Sequence, residues 1–322
     1  MNIMMFNIIL IGFGNMARNH LLSIGGLNSE NQIYIVENDY QLFSKSIEEF
    51  KSRDIKFLSD FSQIDRDFDL AIITTKASER LEAVSSLLKW ATPQNIILEK
   101  NLTSNVEDLY QMKEIVDTNP KINFFVNLWV REFRILTKKI KELKVTKPSA
   151  IFIKFSDKSL LTNLIHFVDY FYFIFGIEIK QILETGDHKW ICGKRKETVE
   201  YIGELKLLNS GNITYELIST TNFDNSKGGV RILIISAQGE LLLVFLDNKC
   251  QIFLNNIFID EFQLFLQSID GTRVINNILN TSSDIELPKF SQVFNNQKVI
   301  IQDFLKIFNQ SNLSLRKRFN IS

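Results

Sequence analysis

The hydrophobic pattern of this chain changes character partway along. Over the first 120 or so residues, short apolar runs at Phe6–Ile11, Ile33–Val36, Leu70–Thr74, Ile96–Leu98 and Ile122–Val126 alternate with longer amphipathic stretches near 15–26, 40–51, 78–90 and 104–117. Such alternation of β-branched runs with helical periodicity is the βαβ rhythm. Runs that are apolar on both sides suit a parallel sheet covered by helices on each face. Pro93 and Pro120 fall just before two of the runs, where a helix must already have ended.

After Lys121 the pattern differs. It predicts a basic helix near 131–144, a strand after Pro148, an aromatic helix over 160–176, and runs of strand character to about residue 260. Turn signals at Asn209-Ser-Gly-Asn, Lys227-Gly-Gly and Gln238-Gly divide those runs, and helices return at the end. The expected class is α/β: a Rossmann domain with a doubly wound parallel sheet over 1–124, then an α+β domain with a mainly antiparallel open sheet over 125–322.

Composition narrows the partners. With 45% apolar residues, 23% charged residues, and 37 basic side chains against 37 acidic ones, the chain is ordinary globular material. Zero formal net charge argues against a nucleic-acid or membrane-surface role. Met1–Ile11 lacks a basic lead and runs straight into Gly12 and Gly14, so it reads as a strand rather than a secretory leader. Leu160–Ile177 contains His166 and Asp169 and falls short of the ~20 apolar residues of a membrane span. Cys192 and Cys250 are far apart, with neither disulfide nor metal spacing. A cytoplasmic location is expected.

The opening strand leads into Gly12-Phe13-Gly14-Asn15-Met16-Ala17, a Gly-x-Gly-x-x-Ala turn before a helix. Gly12 permits the tight turn, Gly14 lets the backbone approach a pyrophosphate, and Ala17 allows close helix–strand packing. The second strand ends in Glu37, 25 positions after Gly12, where an acid that binds the adenosine ribose belongs. A carboxylate there would repel a 2′-phosphate, which favours NAD over NADP. Lys100 follows a later strand on the crevice side, where its ammonium can donate to a substrate oxygen. His166 has Asp169 three positions on, on the same helix face, so Asp169 can orient it or serve local structure.

Three further segments, Ala71-Ile-Ile-Thr74-Thr75, Ile97-Leu-Glu99-Lys100-Asn101 and Asn163-Leu-Ile-His166-Phe-Val-Asp169, join the opening Gly-x-Gly-x-x-Ala-x-x-His20. In this combination the chain resembles the Gfo/Idh/MocA family, the glucose-fructose oxidoreductase and inositol dehydrogenase group. The resemblance implies cofactor contacts from Thr74 and Thr75, and from Glu99 and Lys100 at the nicotinamide ribose and substrate. It also implies a proton-handling role for Lys100 and His166, and a homo-oligomer, dimer or tetramer, built through the second domain's sheet.

Val126-Asn127-Leu-Trp129-Val-Arg131 is similar to a branch associated with surface-polysaccharide and acidic-sugar biosynthesis. That adds Asn127 to the cofactor contacts, Arg131 as a bidentate partner for a substrate carboxylate or phosphate, and Trp129 as a stacking surface or core residue. Departures from the family pattern are Thr162 where a carboxylate is usual, Lys76 and Asn101 where prolines are usual, and Arg80 where a histidine is frequent. Thr162 and Asn163 remain substrate-side residues. His20 reads as structural, and His188 has no assigned role.

The expected activity is NAD-dependent interconversion of a secondary alcohol and a ketone on a sugar, cyclitol or sugar nucleotide. Two alternatives are a redox-silent dinucleotide-binding protein, and an enzyme that retains NAD and uses transient oxidation for elimination, epimerisation or glycoside cleavage.

Overall fold

The computed structural model describes residues 5–27, 29–47, 50, 54–155, 160–192, 199–220, 229–264, 267–282 and 284–311. The chain forms two compact units, Met1–Leu128 with Leu266–Phe294, and Trp129–Phe265 with Asn295–Ser322. A late segment, Leu266–Phe294, groups with the first unit.

In the first unit, strands β1 (Met5–Ile11), β2 (Glu30–Val36), β3 (Ile55–Leu58), β4 (Leu70–Ile73), β5 (Asn95–Leu98) and β6 (Asn123–Val126) form a parallel sheet in the order β3-β2-β1-β4-β5-β6. That is the doubly wound order, whose reversal beside β1 opens a crevice at the carboxyl ends of the strands. Ile8 pairs with Ile33 on one side and Leu70 on the other. Ile8, Ile9 and Leu10 have no exposure, and each such burial contributes about 1.5–3 kcal/mol.

Helices α1 (Asn15–Gly25), α2 (Tyr40–Ile47), α3 (Arg80–Trp90) and α4 (Val106–Thr118) connect these strands. Strand β3 was not expected from the hydrophobic pattern: Ile55-Lys-Phe-Leu is short and interrupted by Lys56, and it is a strand through parallel pairing with β2. Helix α7 (Gln267–Leu279) returns to this unit and packs against α1, with Thr272 Oγ1 donating to the Ser23 carbonyl at 2.7 Å. Val126 N–H donates to the Pro288 carbonyl at 2.9 Å.

In the second unit, β7 (Pro148–Phe155), β8 (Ile179–Glu184), β9 (Lys189–Cys192), β10 (Val199–Asn209), β11 (Thr214–Ser219), β12 (Val230–Ser236), β13 (Gly239–Leu246), β14 (Lys249–Leu254) and β15 (Ile257–Gln263) share one sheet. Its order is β15-β14-β13-β12-β7-β11-β10-β8, with β9 on β10; β7 runs parallel to β11, and the other described pairs are antiparallel. The Lys227-Gly228 part of one expected turn lies outside the described residues. The basic helix expected near 131–144 resolves into a 3₁₀ turn over Trp129–Glu132 and helix α5 (Arg134–Glu142).

The inner face of this sheet alternates as the pleat requires, burying Ile151, Ile153 and Phe155 of β7 and Tyr215 and Leu217 of β11. Helix α6 (Leu160–Phe175) covers that face, with Phe167 edge-on to Phe155 and Phe171 edge-on to Tyr215, each at 5.9 Å. On the outer face the register sets Phe152, Leu233, Leu242 and Phe253 side by side, all half-buried. Helix α8 (Phe290–Ser311) contributes to this unit from Asn295 onward. Among the described residues no helix is long and apolar enough to cross a membrane, and no cluster of His, Cys, Asp and Glu could hold a metal ion.

Candidate functional site

The chemistry of the first unit gathers at the carboxyl edge of its sheet. Gly12 adopts φ +83°, a left-handed conformation that favours glycine, and an added Cβ would also press on Thr75 at 3.3 Å. Gly14 is different: an added Cβ meets nothing within 4 Å, so open space lies over the turn. Gly14 is also the N-cap of α1, and the first turn, Asn15-Met16-Ala17, brings no acid. The leading amides therefore remain available to an anion. Asn15 is exposed, Met16 half-buried and Ala17 fully buried against the sheet. This cradle fits the pyrophosphate of a dinucleotide.

Phe13 contributes differently from its neighbours. Its ring is buried against Phe43 at 5.5 Å, and its N–H donates to Glu37 Oε2 at 2.8 Å. Glu37 Oε1 accepts from Asp39 N–H at 3.0 Å, so each oxygen keeps lone-pair capacity for a ribose hydroxyl. Thr74 Oγ1 lies 3.0 and 2.9 Å from the carbonyl oxygens of Ile11 and Gly12, which ties β4 to the glycine turn.

Beyond β5, Glu99 is buried, and its Oε1 accepts from His20 Nε2 and Asn127 Nδ2, both at 2.7 Å. Burial pushes the Glu99 carboxyl up. The His20 and Asn127 hydrogen bonds and the charges of His20 and Arg80 more than offset this, holding it below its ordinary value. An ionised carboxylate only accepts, so the His20 proton in this bond sits on Nε2. Asn127 is thereby committed to Glu99. Lys100, half-buried, follows directly, and its peptide bond to Asn101 is cis.

Arg80 is the functional-site residue that sequence reading treated only as a departure. It is 2% exposed, and its guanidinium donates to the carbonyls of Thr75 and Asn101. One side chain thus ties the loop after β4 to the loop carrying Lys100. Glu37, the glycine turn, Thr74, Lys100 and Asn127 follow β2, β1, β4, β5 and β6 across the sheet. From β2 to β5 is three strand spacings, roughly 14 Å at about 4.8 Å each. That is the sequence in which ribose, pyrophosphate and nicotinamide follow one another along a dinucleotide.

The second unit's cluster lies on α6. Arg131 Nε and Nη2 donate to Asp169 Oδ2 and Oδ1 at 2.7 and 2.6 Å, with the pair 4% and 0% exposed. Burial pushes the Asp169 carboxyl up, and the Arg131 hydrogen bonds and charge pull it back. The Arg131 guanidinium also lies over the Phe173 ring, 4.9 Å from its centroid. The Nε and Nη2 edge of Arg131 thus engages both oxygens of Asp169. Trp129 is half-buried with its ring 4.8 Å from that of buried His166, while Thr162 and Asn163 are half-buried one turn earlier. His188 Nδ1 pairs with Glu184 at 2.9 Å and its ring stacks on Tyr201, away from this helix.

A parallel sheet in doubly wound order, with open space over its first glycine turn and an acid at the end of the next strand, is the arrangement of a dinucleotide-binding Rossmann protein. Residues 6–128 match the model of the Gfo/Idh/MocA oxidoreductase family, which has an NAD-binding Rossmann fold. No curated protein matches the sequence.

Among solved structures, the chain is similar to UDP-N-acetylglucosamine 3-dehydrogenase GnnA from Acidithiobacillus ferrooxidans, with TM-score 0.69, 10% identity, and 94% of this chain and 98% of that one covered. It is similar also to myo-inositol dehydrogenase from Lactobacillus casei in complex with NAD(H) and myo-inositol, with TM-score 0.71, 15% identity, and 96% of each chain covered. A third likeness is the transcriptional regulator Gal80p from Kluyveromyces lactis, with TM-score 0.67, 15% identity, and 98% and 92% covered. At such identities these likenesses speak to the fold.

Proposed function

We propose that this chain is an NAD-dependent oxidoreductase that interconverts a secondary alcohol and a ketone on a sugar, cyclitol or sugar nucleotide. The observation that carries the reading is the open space over Gly14 at an acid-free helix start, in one sheet with Glu37 and Lys100. When bound, the nicotinamide supplies a hydride acceptor or donor. The leading amides of α1 bind its pyrophosphate, and Glu37 orients the adenosine ribose and disfavours NADP. Lys100 Nζ hydrogen-bonds a substrate oxygen and moves a proton there; His166 is the second unit's proton-handling group. The dehydrogenases among the structural neighbours support a polyol or sugar nucleotide as substrate.

The test is fluorescence energy transfer on titration with NADH, then assay with NAD and myo-inositol, scyllo-inositol or UDP-N-acetylglucosamine. Lys100→Met and His166→Asn should each lower turnover by about 10²-fold or more while NADH affinity stays within a few-fold. Full turnover in either variant removes that residue from the mechanism. A second reading, a dinucleotide-binding protein without turnover, is favoured by Thr162 at the usual carboxylate position and by the likeness to Gal80p. It calls for NADH binding with no turnover on any of the three compounds.

The chain is further proposed to act as a homo-oligomer through the outer face of the second unit's sheet, where Phe152, Leu233, Leu242 and Phe253 form one row and Phe258 beyond them is 54% exposed.

A further inference from the structure

Four residues before His166, where the family pattern leads one to expect a carboxylate, stands Thr162. A carboxylate nevertheless reaches this place from elsewhere in the same unit. Glu200, on β10, is 2% exposed; it accepts the hydroxyl proton of Thr162 through Oε1, and Leu161 N–H at 3.0 Å through Oε2. The Leu161 contact is that of an acid satisfying an amide in the first turn of a helix. The Thr162 contact does something more. Thr162 is the donor in that bond, so its single O–H is turned toward Glu200 and its oxygen meets other groups through its lone pairs.

Thr162 is half-buried, and it lies one turn before His166 on the same face of α6. The geometry points to a Glu200–Thr162 relay that supplies, from strand β10, the acceptor the helix no longer carries. Thr162 Oγ1 accepts a hydrogen bond from a hydroxyl of the substrate beside the reacting carbon, and Glu200 is the positioning residue that fixes its polarity. The ligand class is a polyol or sugar with a free hydroxyl at that position; an ether or carbonyl there finds no donor.

This inference rests on the oxidoreductase reading, and its test separates the two. With the full chain, NAD and myo-inositol, scyllo-inositol or UDP-N-acetylglucosamine, we expect Glu200→Gln and Thr162→Val each to lower kcat/KM by about 10–100-fold, chiefly through KM. Thr162→Val leaves the Leu161–Glu200 contact in place, so it reads the relay without disturbing the helix start. The double variant should be no worse than the worse single, and Thr162→Asp in the Glu200→Gln background should recover activity to within about five-fold. NADH affinity should stay constant throughout.

An unchanged KM in Glu200→Gln, or losses that multiply in the double variant, would overturn the relay and leave the oxidoreductase reading intact. A wild type inert where Thr162→Asp turns over would overturn it as well. NADH binding with no turnover by any variant would sink both.

Discussion

His20 Nε2 and Glu99 Oε1 stand 2.7 Å apart in the interior of the first unit, joining helix α1 to the loop that carries Lys100. The helix start proposed to hold a phosphate and the loop proposed to bring Lys100 to a substrate are thus fixed to each other through one buried bond. Asn127, from the end of β6, donates to the same oxygen.

That network has a pH signature. The Glu99 carboxyl is held below its ordinary value in the folded protein, so its stabilisation is present above the unfolded value, about 4.3, and is lost as pH falls through the folded one. Urea denaturation should show Glu99→Gln less stable than wild type by about 1–3 kcal/mol at neutral pH. The difference should shrink below about pH 4. A gap that stays constant with pH would remove Glu99 as its source.

The Arg131–Asp169 pair makes a different prediction, because both partners are buried. Arg131→Met leaves a carboxylate without its fork and should cost about 3–5 kcal/mol by denaturation, whereas Arg131→Met with Asp169→Leu should regain most of that loss. If the pair instead reserved Arg131 for substrate, the single variant would keep its stability and lose only activity.

Gly14→Asp separates the fold from the cradle. The space over Gly14 admits a side chain, so the melting temperature should stay within a few degrees of wild type. NADH affinity should fall at least tenfold, since the new charge faces the pyrophosphate. Gly12→Ala should instead destabilise the protein by about 1–3 kcal/mol, because its φ of +83° strains any L side chain.

Glu37→Ser removes the acid proposed to meet the ribose and should weaken NAD while improving NADP. Because Glu37 also accepts the Phe13 N–H, some loss of NAD affinity will come from a loosened glycine turn. The diagnostic quantity is therefore the ratio of the two affinities, measured by titration; a ratio equal to that of wild type would show the ribose acid to be misplaced.

Leu242→Lys, at the middle of the outer-face row, tests assembly. Light scattering should report a smaller particle for this variant than for wild type, with NADH affinity retained. A wild type that is already monomeric at micromolar concentration would end the oligomer proposal.

What could be read from sequence was what is local. The glycine turn, its flanking strand and helix, and Glu37 lie within a few dozen residues, and the turn chemistry dictates their types. Strand β3 escaped because Ile55-Lys-Phe-Leu has no periodicity of its own and exists by pairing with β2. Arg80 looked like a missing histidine, yet its reach to two loop carbonyls depends on where α3 begins relative to β5. Glu200 left no trace because sheet register, rather than spacing, brings it to Thr162, 38 positions away. Arg131 and Asp169 were each noticed, while their mutual bond was not.

Helix α7 completes the nucleotide unit from the far end of the chain, resting on α1 with Thr272 bonded to Ser23. During synthesis, the ribosome must make the whole second sheet before α7 emerges, a delay on the order of tens of seconds at about 5–20 residues per second. For that interval a nascent polypeptide holds its glycine turn beside a helix whose flank is still bare. The helix that starts at the glycine turn therefore gains its last packing partner only late in synthesis.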